Sequence, residues 1–212
     1  MEIKKFEFNP FPVNTYLLYD ETLECVIIDA GMLHDEEREL LDQFIEENQL
    51  KIKYLLNTHC HFDHVLGNAY IQKKYGVELM ANEADSFLLD RVKEQALMFG
   101  VPISDEAITL NKNLNENDIV SFGNTSLHVL HVPGHSPGSL CFYVPNENCL
   151  FVGDVLFNGS IGRTDLPGGD YEELIKGIKD KLLILPENTT VYSGHGEETT
   201  IGKEKRTNPF FS

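Results

Sequence analysis

The heptapeptide Thr58-His59-Cys60-His61-Phe62-Asp63-His64 contains three imidazoles and one carboxylate within six residues. The apolar run Ile52–Leu56 before it predicts a buried strand, and Val65–Ile71 after it predicts the start of a helix. Neutral imidazole and carboxylate groups are ligands for zinc, iron and manganese. The alternative, a loop of solvated polar residues, is disfavoured because histidine is an uncommon residue. The pattern therefore predicts a metal site at the end of a strand.

The spacing inside the heptapeptide indicates that its ligands serve two neighbouring ions. His59 and His61 are two residues apart and can point the same way from an extended chain. Asp63 and His64 come after the chain has begun to turn, so they can face a second ion nearby. Cys60 lies between two candidate ligands, and the period-2 alternation directs it into the core. We therefore do not count Cys60 as a ligand.

Composition narrows the classes of partner. The chain has 212 residues, of which 42% are hydrophobic, and a formal net charge of -17. This acidity argues against nucleic acid as the main partner. No apolar run approaches the roughly 20 residues of a membrane span. The N-terminus lacks the apolar core of a signal peptide, and the four cysteines form no CxxC pair, so we expect a cytoplasmic protein with reduced thiols. We expect it to be a monomer or a small homo-oligomer.

The rest of the chain alternates between strand-like and helical patterns. Asn14–Tyr19 and Cys25–Asp29 predict a β-hairpin, and Glu36–Asn48 and Asn68–Tyr75 predict helices. A second run of the same kind starts at Asp118. Two successive runs of strands and helices predict an α/β fold in which two sheets pack together with helices outside. The intervening residues 82–99 read as a polar-rich helical cover over a site, followed by a loop over residues 100–114.

Three further candidate ligands also follow apolar strands. His135 lies in the Gly-rich turn Pro133–Ser139, Asp154 follows Leu150-Phe151-Val152, and His195 follows Val191-Tyr192. Each has a glycine beside it or one residue away, and glycine permits the close backbone approach that a ligand at a strand end commonly needs. Seven ligands are too many for one tetrahedral ion. They suit two ions that share a bridging carboxylate.

These motifs and their spacing resemble the metallo-β-lactamase superfamily over nearly the whole chain. The resemblance implies a four-layer αββα sandwich with a dinuclear site at one edge of its sheets. It implies that His59, His61 and His135 hold the first metal, that Asp63, His64 and His195 hold the second, and that Asp154 bridges the two. The β-lactamases of the family lack a bridging aspartate at this position, whereas its thioesterases, nucleases and oxygen-using members have one. Hydrolysis of antibiotics is therefore not expected.

Three segments resemble the glyoxalase II branch of that family: Asn14–Leu18, Gly153–Asp170 and Asn208–Phe210. This resemblance implies a hydrolase that cleaves a small-molecule thioester similar to S-lactoylglutathione into a hydroxy acid and a thiol. Its cofactors would be two divalent metal ions, zinc in the first place, with iron and manganese as alternatives. A hydroxide between the metals would attack the thioester carbonyl, with Asp63 and Asp154 as the catalytic carboxylates that orient it.

The chain departs from long glyoxalase II enzymes near its end. It stops at Phe211-Ser212, so the basic residues that the long enzymes use to bind glutathione carboxylates are missing. We expect residues 1–212 to form a single domain without the C-terminal helical domain that binds glutathione. Arg163 keeps the basic position of the branch. It is a candidate for substrate binding, and a structural salt bridge to Asp165 or Asp170 is an equal alternative.

Three other functions compete with a thioesterase. An iron-dependent persulfide dioxygenase shares the opening motif, and Gly162–Asp165 resembles that branch. A metal-dependent phosphodiesterase or nuclease could use the same two metals, although the negative charge disfavours it. A metal-binding or regulatory protein without turnover is the third, and the complete set of ligands disfavours it.

Overall fold

The computed structural model describes residues 1–101, 103 and 107–211. The first sheet follows chain order and has six strands: β1 (Glu2–Phe8), β2 (Val13–Tyr19), β3 (Glu24–Ile28), β4 (Lys51–Leu56), β5 (Glu78–Ala81) and β6 (Leu110–Asn113). Strands β1 to β3 are antiparallel, and β3 to β6 are parallel. The sheet therefore changes from hairpin connections to crossover connections at β3.

The second sheet is built from the later part of the chain. Its strands are β7 (Ile119–Phe122), β8 (Thr125–His131), β9 (Leu140–Val144), β10 (Cys149–Gly153), β13 (Thr190–Ser193) and β14 (Thr199–Thr200), in the spatial order β14-β13-β10-β9-β8-β7. Between β10 and β13 the chain forms a separate pair, β11 (Leu156–Phe157) and β12 (Ser160–Ile161). Strands β10 and β13 are parallel, so their carboxyl ends meet at the same edge.

Seven α-helices lie along the chain: α1 (Asp35–Glu47), α2 (Phe62–Val65), α3 (Asn68–Tyr75), α4 (Ser86–Leu89), α5 (Val92–Met98), α6 (Tyr171–Gly177) and α7 (Ile201–Thr207), all within the described ranges. Short 3₁₀ turns occupy Glu83–Asp85 and Pro145–Glu147, and a π turn over Ile178–Leu182 continues α6. In the described residues we find no helix long and apolar enough to cross a membrane.

Three apolar layers hold these elements together. Between the sheets, Ile28 and Leu56 of the first sheet pack in one cluster with Phe142 and Phe151 of the second. The outer face of the first sheet packs against α1 and α3, and the outer face of the second packs against α6, the π turn and α7. Strands covered on both faces need continuous apolar runs, and Cys25-Val-Ile-Ile of β3 is such a run and is buried throughout. The predicted four-layer αββα sandwich is confirmed.

Most predicted elements occur where the sequence placed them, and two differ. The segment 82–99 is helical, but it is divided into a 3₁₀ turn, α4 and α5. The predicted loop over residues 100–114 contains β6, whose sequence Leu110-Asn-Lys-Asn has no β-branched or aromatic residue. Pairing with β5 overrides that weak propensity. Residues 102 and 104–106 of this loop, and Ser212, lie outside the described residues.

The packing between the sheets predicts a large effect of truncating Phe142, which is fully buried there. We expect Phe142→Ala to lower the free energy of unfolding by about 3–5 kcal/mol, because it removes a buried ring and leaves a cavity. The matched control is Ile119→Ala on the edge strand β7, where the side chain is 56% exposed. Denaturant titration should show the control within about 0.5 kcal/mol of wild type. Equal losses for both variants would contradict this packing.

Candidate metal centre

Four strand ends bring the seven predicted ligands to one edge of the sandwich. The turn after β4 carries His59 and His61, the short helix α2 that follows it carries Asp63 and His64, and the turn between β8 and β9 carries His135. Asp154 and His195 follow β10 and β13. An isolated bridge from His195 to Val13 ties the last of these turns to the first sheet. Side chains from both sheets therefore meet in one cluster, and the sequence-predicted set is brought together completely.

His59, His61 and His135 form a first group of donors. Nε2 of His135 lies 2.9 Å from Nδ1 of His61 and 3.2 Å from Nε2 of His59. Ligand atoms about 2.0–2.1 Å from a tetrahedral ion are separated by about 3.3 Å. The two separations from His135 are close to this value, and the ligand atoms of all three residues lie within 4.8 Å of one another, so the group fits one such ion.

Asp63, His64 and His195 form a second group beside the first. The two Nε2 atoms of His64 and His195 are 3.3 Å apart. An Asp63 oxygen lies 3.5 Å from His195 Nε2 and 3.9 Å from His64 Nε2. All three side chains offer ligand atoms within 4.8 Å of one another. This group has the mixed imidazole and carboxylate chemistry that zinc and iron accept.

Asp154 lies between the two groups. One of its oxygens is 3.4 Å from His64 Nε2, and the other is 3.5 Å from His195 Nε2 and 3.7 Å from His135 Nε2. The Oδ1 atom is buried and makes no hydrogen bond within the described part of the chain. Burial of a carboxylate is costly unless cations lie beside its oxygens, and the contact of Oδ1 with His64 Nε2 is too long for a strong hydrogen bond. The residues present therefore fit a pair of divalent cations that share Asp154.

The two groups differ in charge. Burial lowers the pKa of His59, and it lowers that of His61 to about 3, so both rings are neutral near pH 7. Burial also lowers the pKa of His195, but the carboxylates of Asp154 and Asp63 outweigh it and raise the value to about 10. Protons on the second group thus balance its carboxylates when no cation is bound. A cation that binds there would displace them.

Hydrogen bonds to the outer ring nitrogens orient the ligands. Nδ1 of His135 lies 2.8 Å from the carbonyl oxygen of Arg163, and Nδ1 of His195 lies 3.1 Å from that of Pro12. Donation from Nδ1 to a carbonyl leaves the lone pair on Nε2. In both residues it is Nε2 that faces the cluster.

Asp29 is a functional residue that sequence reasoning missed, because it was read only as the end of β3. Its buried carboxylate accepts hydrogen bonds from Thr58 N at 2.8 Å and Thr58 Oγ1 at 2.6 Å, and lies 3.0 Å from His64 Nδ1. It thereby fixes the start of the ligand turn and the orientation of His64. The signal was present, because Asp29 follows an apolar strand as Asp154 does.

Asp85 is a second residue that was missed. It is fully buried in the 3₁₀ turn after β5 and accepts hydrogen bonds from Cys60 N at 3.0 Å, Ser136 Oγ at 2.8 Å and Gly138 N at 2.6 Å. One carboxylate thus connects the turn of His59 and His61 to the turn of His135. No local pattern distinguishes this aspartate from the many acidic residues of a polar segment.

The other candidates fall outside the cluster. Cys60 packs with Phe62 and Val65 in an apolar group, as the alternation predicted. The Arg163 side chain forms a two-point ion pair with Asp165, with distances of 2.7 and 2.8 Å. This is one of the two alternatives that the sequence left open, and its role in substrate binding stays a prediction.

The amino-acid sequence is similar to a known protein family and to a full-length relative. A family model described as the metallo-beta-lactamase superfamily matches residues 8–195. A relative from Haemophilus influenzae, described as hydroxyacylglutathione hydrolase GloC, is 42% identical over 213 residues. The match covers 100% of this chain and 99% of the relative.

Two solved structures share the whole architecture. The structure described as BLEG-1 B3 metallo-beta-lactamase has a TM-score of 0.89 and 38% identity, and the match covers 100% of both chains. The structure of TTHA1623 in a di-iron-bound form has a TM-score of 0.87 and 36% identity, covering 98% of this chain and 99% of that one. The sandwich is thus of the metallo-β-lactamase type, as predicted.

The position of Asp85 predicts an effect on metal affinity. In Asp85→Asn an amide NH₂ replaces one oxygen and faces a backbone or hydroxyl donor, so the two ligand turns lose part of their connection. We expect the affinity for zinc, measured by titration against a competing chelator, to fall about 10- to 100-fold.

Glu83→Gln is the matched control for Asp85→Asn, because Glu83 is an exposed carboxylate in the same 3₁₀ turn. It should keep the wild-type zinc affinity. If Asp85→Asn lowers the melting temperature of the metal-free protein and leaves zinc affinity unchanged, Asp85 supports the fold and does not position the ligands.

Proposed function

This chain belongs to the metallo-β-lactamase superfamily, and from that membership we propose that it is a metal-dependent hydrolase of thioesters. The observation that carries the proposal is the position of Asp154, whose oxygens lie beside both groups of imidazoles. Identity of 42% to a full-length relative described as a hydroxyacylglutathione hydrolase supports a thioester as the bond that is cleaved. A thioester similar to S-lactoylglutathione is the first substrate to test.

The residues divide into two sets of metal ligands in this proposal. His59, His61 and His135 would hold one ion, Asp63, His64 and His195 would hold the other, and Asp154 would contact both. Divalent cations bound there would polarise a carbonyl and lower the pKa of a water molecule. Zinc is the first candidate. Iron is supported by the di-iron form of a similar structure, and manganese suits the same ligands.

The chain's own side chains would position the reactants. Asp63 lines a cavity over the cluster and is partly accessible, so its carboxylate can accept a hydrogen bond from an attacking water molecule. Arg163 lines the same cavity and is the candidate for contact with the substrate. A thiolate leaves without a proton because its conjugate acid is far stronger than that of an alkoxide. The proposal therefore needs no general acid.

Two other reactions are competing candidates. Hydrolysis of β-lactams, which the aspartate at position 154 disfavours, stays a candidate because of the similarity to a structure described as a B3 metallo-beta-lactamase. Oxidation of a persulfide at iron is favoured by the shared ligands and by a 27% identical structure described as ETHE1 from Myxococcus xanthus. A β-lactam and glutathione persulfide therefore belong in the substrate panel, the second with oxygen uptake as its readout.

The proposal predicts metal-dependent release of free thiol from S-lactoylglutathione. Removal of metal with a chelator should abolish the release, and a divalent metal should restore it. Asp63→Ala should lower kcat/KM more than about 100-fold, because it removes a ligand and the group that orients water. Circular dichroism should show that the fold is retained.

Glu197→Gln is the matched control, since Glu197 is an exposed carboxylate two residues after His195. It should keep the wild-type rate. Turnover of the β-lactam or the persulfide, with every thioester left intact, would replace the proposed reaction. Turnover of thioester by metal-free protein would contradict the role of the cluster.

A further inference from the structure

A cavity of about 400 Å³ opens directly over the predicted metal ligands. His61, Asp63, His135, Asp154 and His195 line its polar side. Its volume lies in the range of small-molecule binding sites. A substrate bond placed at the ligands would therefore have its remaining atoms inside this cavity, in contact with the residues on the opposite side.

The opposite side is an aromatic wall, which we define as Phe11, Phe62, Phe87, Met98 and Phe99. Phe62 lies between the ligands His61 and Asp63 in sequence, and its ring stacks on Phe99 with a centroid distance of 5.0 Å. Phe11 packs edge-on against both rings, at 5.1 Å from Phe62 and 5.7 Å from Phe99. The rings thus extend from the metal ligands to the end of α5.

The outer part of this wall is open to solvent. Met98 is 77% exposed and Phe99 is 54% exposed, although both line the cavity. Contiguous exposed apolar surface beside a polar cluster is typical of a ligand-binding surface. An apolar group in the cavity would remove these side chains from water.

The cations that line the cavity are paired by neighbouring carboxylates. Arg91 Nε lies 2.9 Å from an oxygen of Glu94, and Arg163 forms its two-point ion pair with Asp165. The formal charge of the whole chain is -17. These features disfavour recognition of an anionic group at the cavity and favour an uncharged one.

We propose that the aromatic wall binds an uncharged apolar acyl chain of the thioester substrate and makes the enzyme prefer such chains over short polar ones. This inference rests on the proposed thioesterase function and specifies its substrate class. In a thioester, the carbonyl carbon that the metal ligands would face is bonded both to the first carbon of the acyl chain and to the thiol sulfur. The thiol side of a glutathione thioester carries two carboxylates, and the arginines of this cavity are already paired, so we assign the wall to the acyl chain.

The test is a series of glutathione thioesters that share one thiol and differ in the acyl group: acetyl, butyryl, hexanoyl and lactoyl. We expect kcat/KM to rise about two- to threefold per methylene from acetyl to hexanoyl, because each methylene is partly buried against the wall. Lactoylglutathione should be a poorer substrate than butyrylglutathione. A flat or falling series would overturn the inference while leaving thioester hydrolysis intact.

Two variants on the same helix test the wall itself. Met98→Ala should reduce the increase in kcat/KM per acyl methylene to below about 1.5-fold, because Met98 lines the cavity. Leu97→Ala should keep the wild-type increase, since Leu97 is also exposed, at 57%, but is not among the cavity residues. Both side chains are open to solvent, so neither truncation leaves a cavity in the core. An equal loss in both variants would contradict the assignment.

A second series keeps the acetyl group and varies the thiol from ethanethiol to hexanethiol, which leaves the thiol acidity nearly constant. In this series kcat/KM should depend little on the length of the alkyl thiol. Dependence in this series alone would assign the wall to the thiol side and overturn our assignment to the acyl chain. If no thioester of either series is hydrolysed, the proposed function itself fails, and the inference with it.

Discussion

The close approach of three imidazole nitrogens at one edge of the sandwich is the constraint on which this structure depends. The ring nitrogens of His59 and His61 lie 3.2 and 2.9 Å from the same atom of His135. Burial lowers the pKa of His59 and His61, so both rings are neutral near pH 7 and each keeps one nitrogen lone pair. A divalent cation would bind such lone pairs, and the protein scaffold must hold the three nitrogens at this spacing for it to do so.

Two buried carboxylates supply that scaffold. Asp29 holds the first residue of the ligand turn and the ring of His64, and Asp85 connects this turn to the turn of His135. Asp29 acts directly on a ligand, through the ring of His64. Asp85 acts through hydrogen bonds from Cys60, Ser136 and Gly138, which lie next to the ligands in sequence. The arrangement explains why the ligands come from four strand ends and still meet within a few ångströms. Preorganisation of this kind lowers the conformational entropy cost of ordering the ligands when a metal binds.

The sequence predicted much of this site because the ligands have a chemical type. Histidine and aspartate at the ends of apolar strands are recognisable without a structure, and all seven predicted ligands lie in the cluster. Asp85 could not be predicted, because its role depends on burial by residues far away in the chain. The edge strand β6 and the divided helix between residues 82 and 99 were missed for a similar reason. Their form is set by pairing with β5 and packing over Phe62, which local propensity does not record.

The central claim is that the cluster holds two ions that share Asp154. The most direct test is the metal content of the protein after equilibrium dialysis against excess zinc, measured by elemental analysis and divided by protein concentration. The account predicts two ions per chain for the wild type. A wild-type protein that saturates at one ion per chain would contradict it, because the second group of ligands would then serve some purpose other than metal binding.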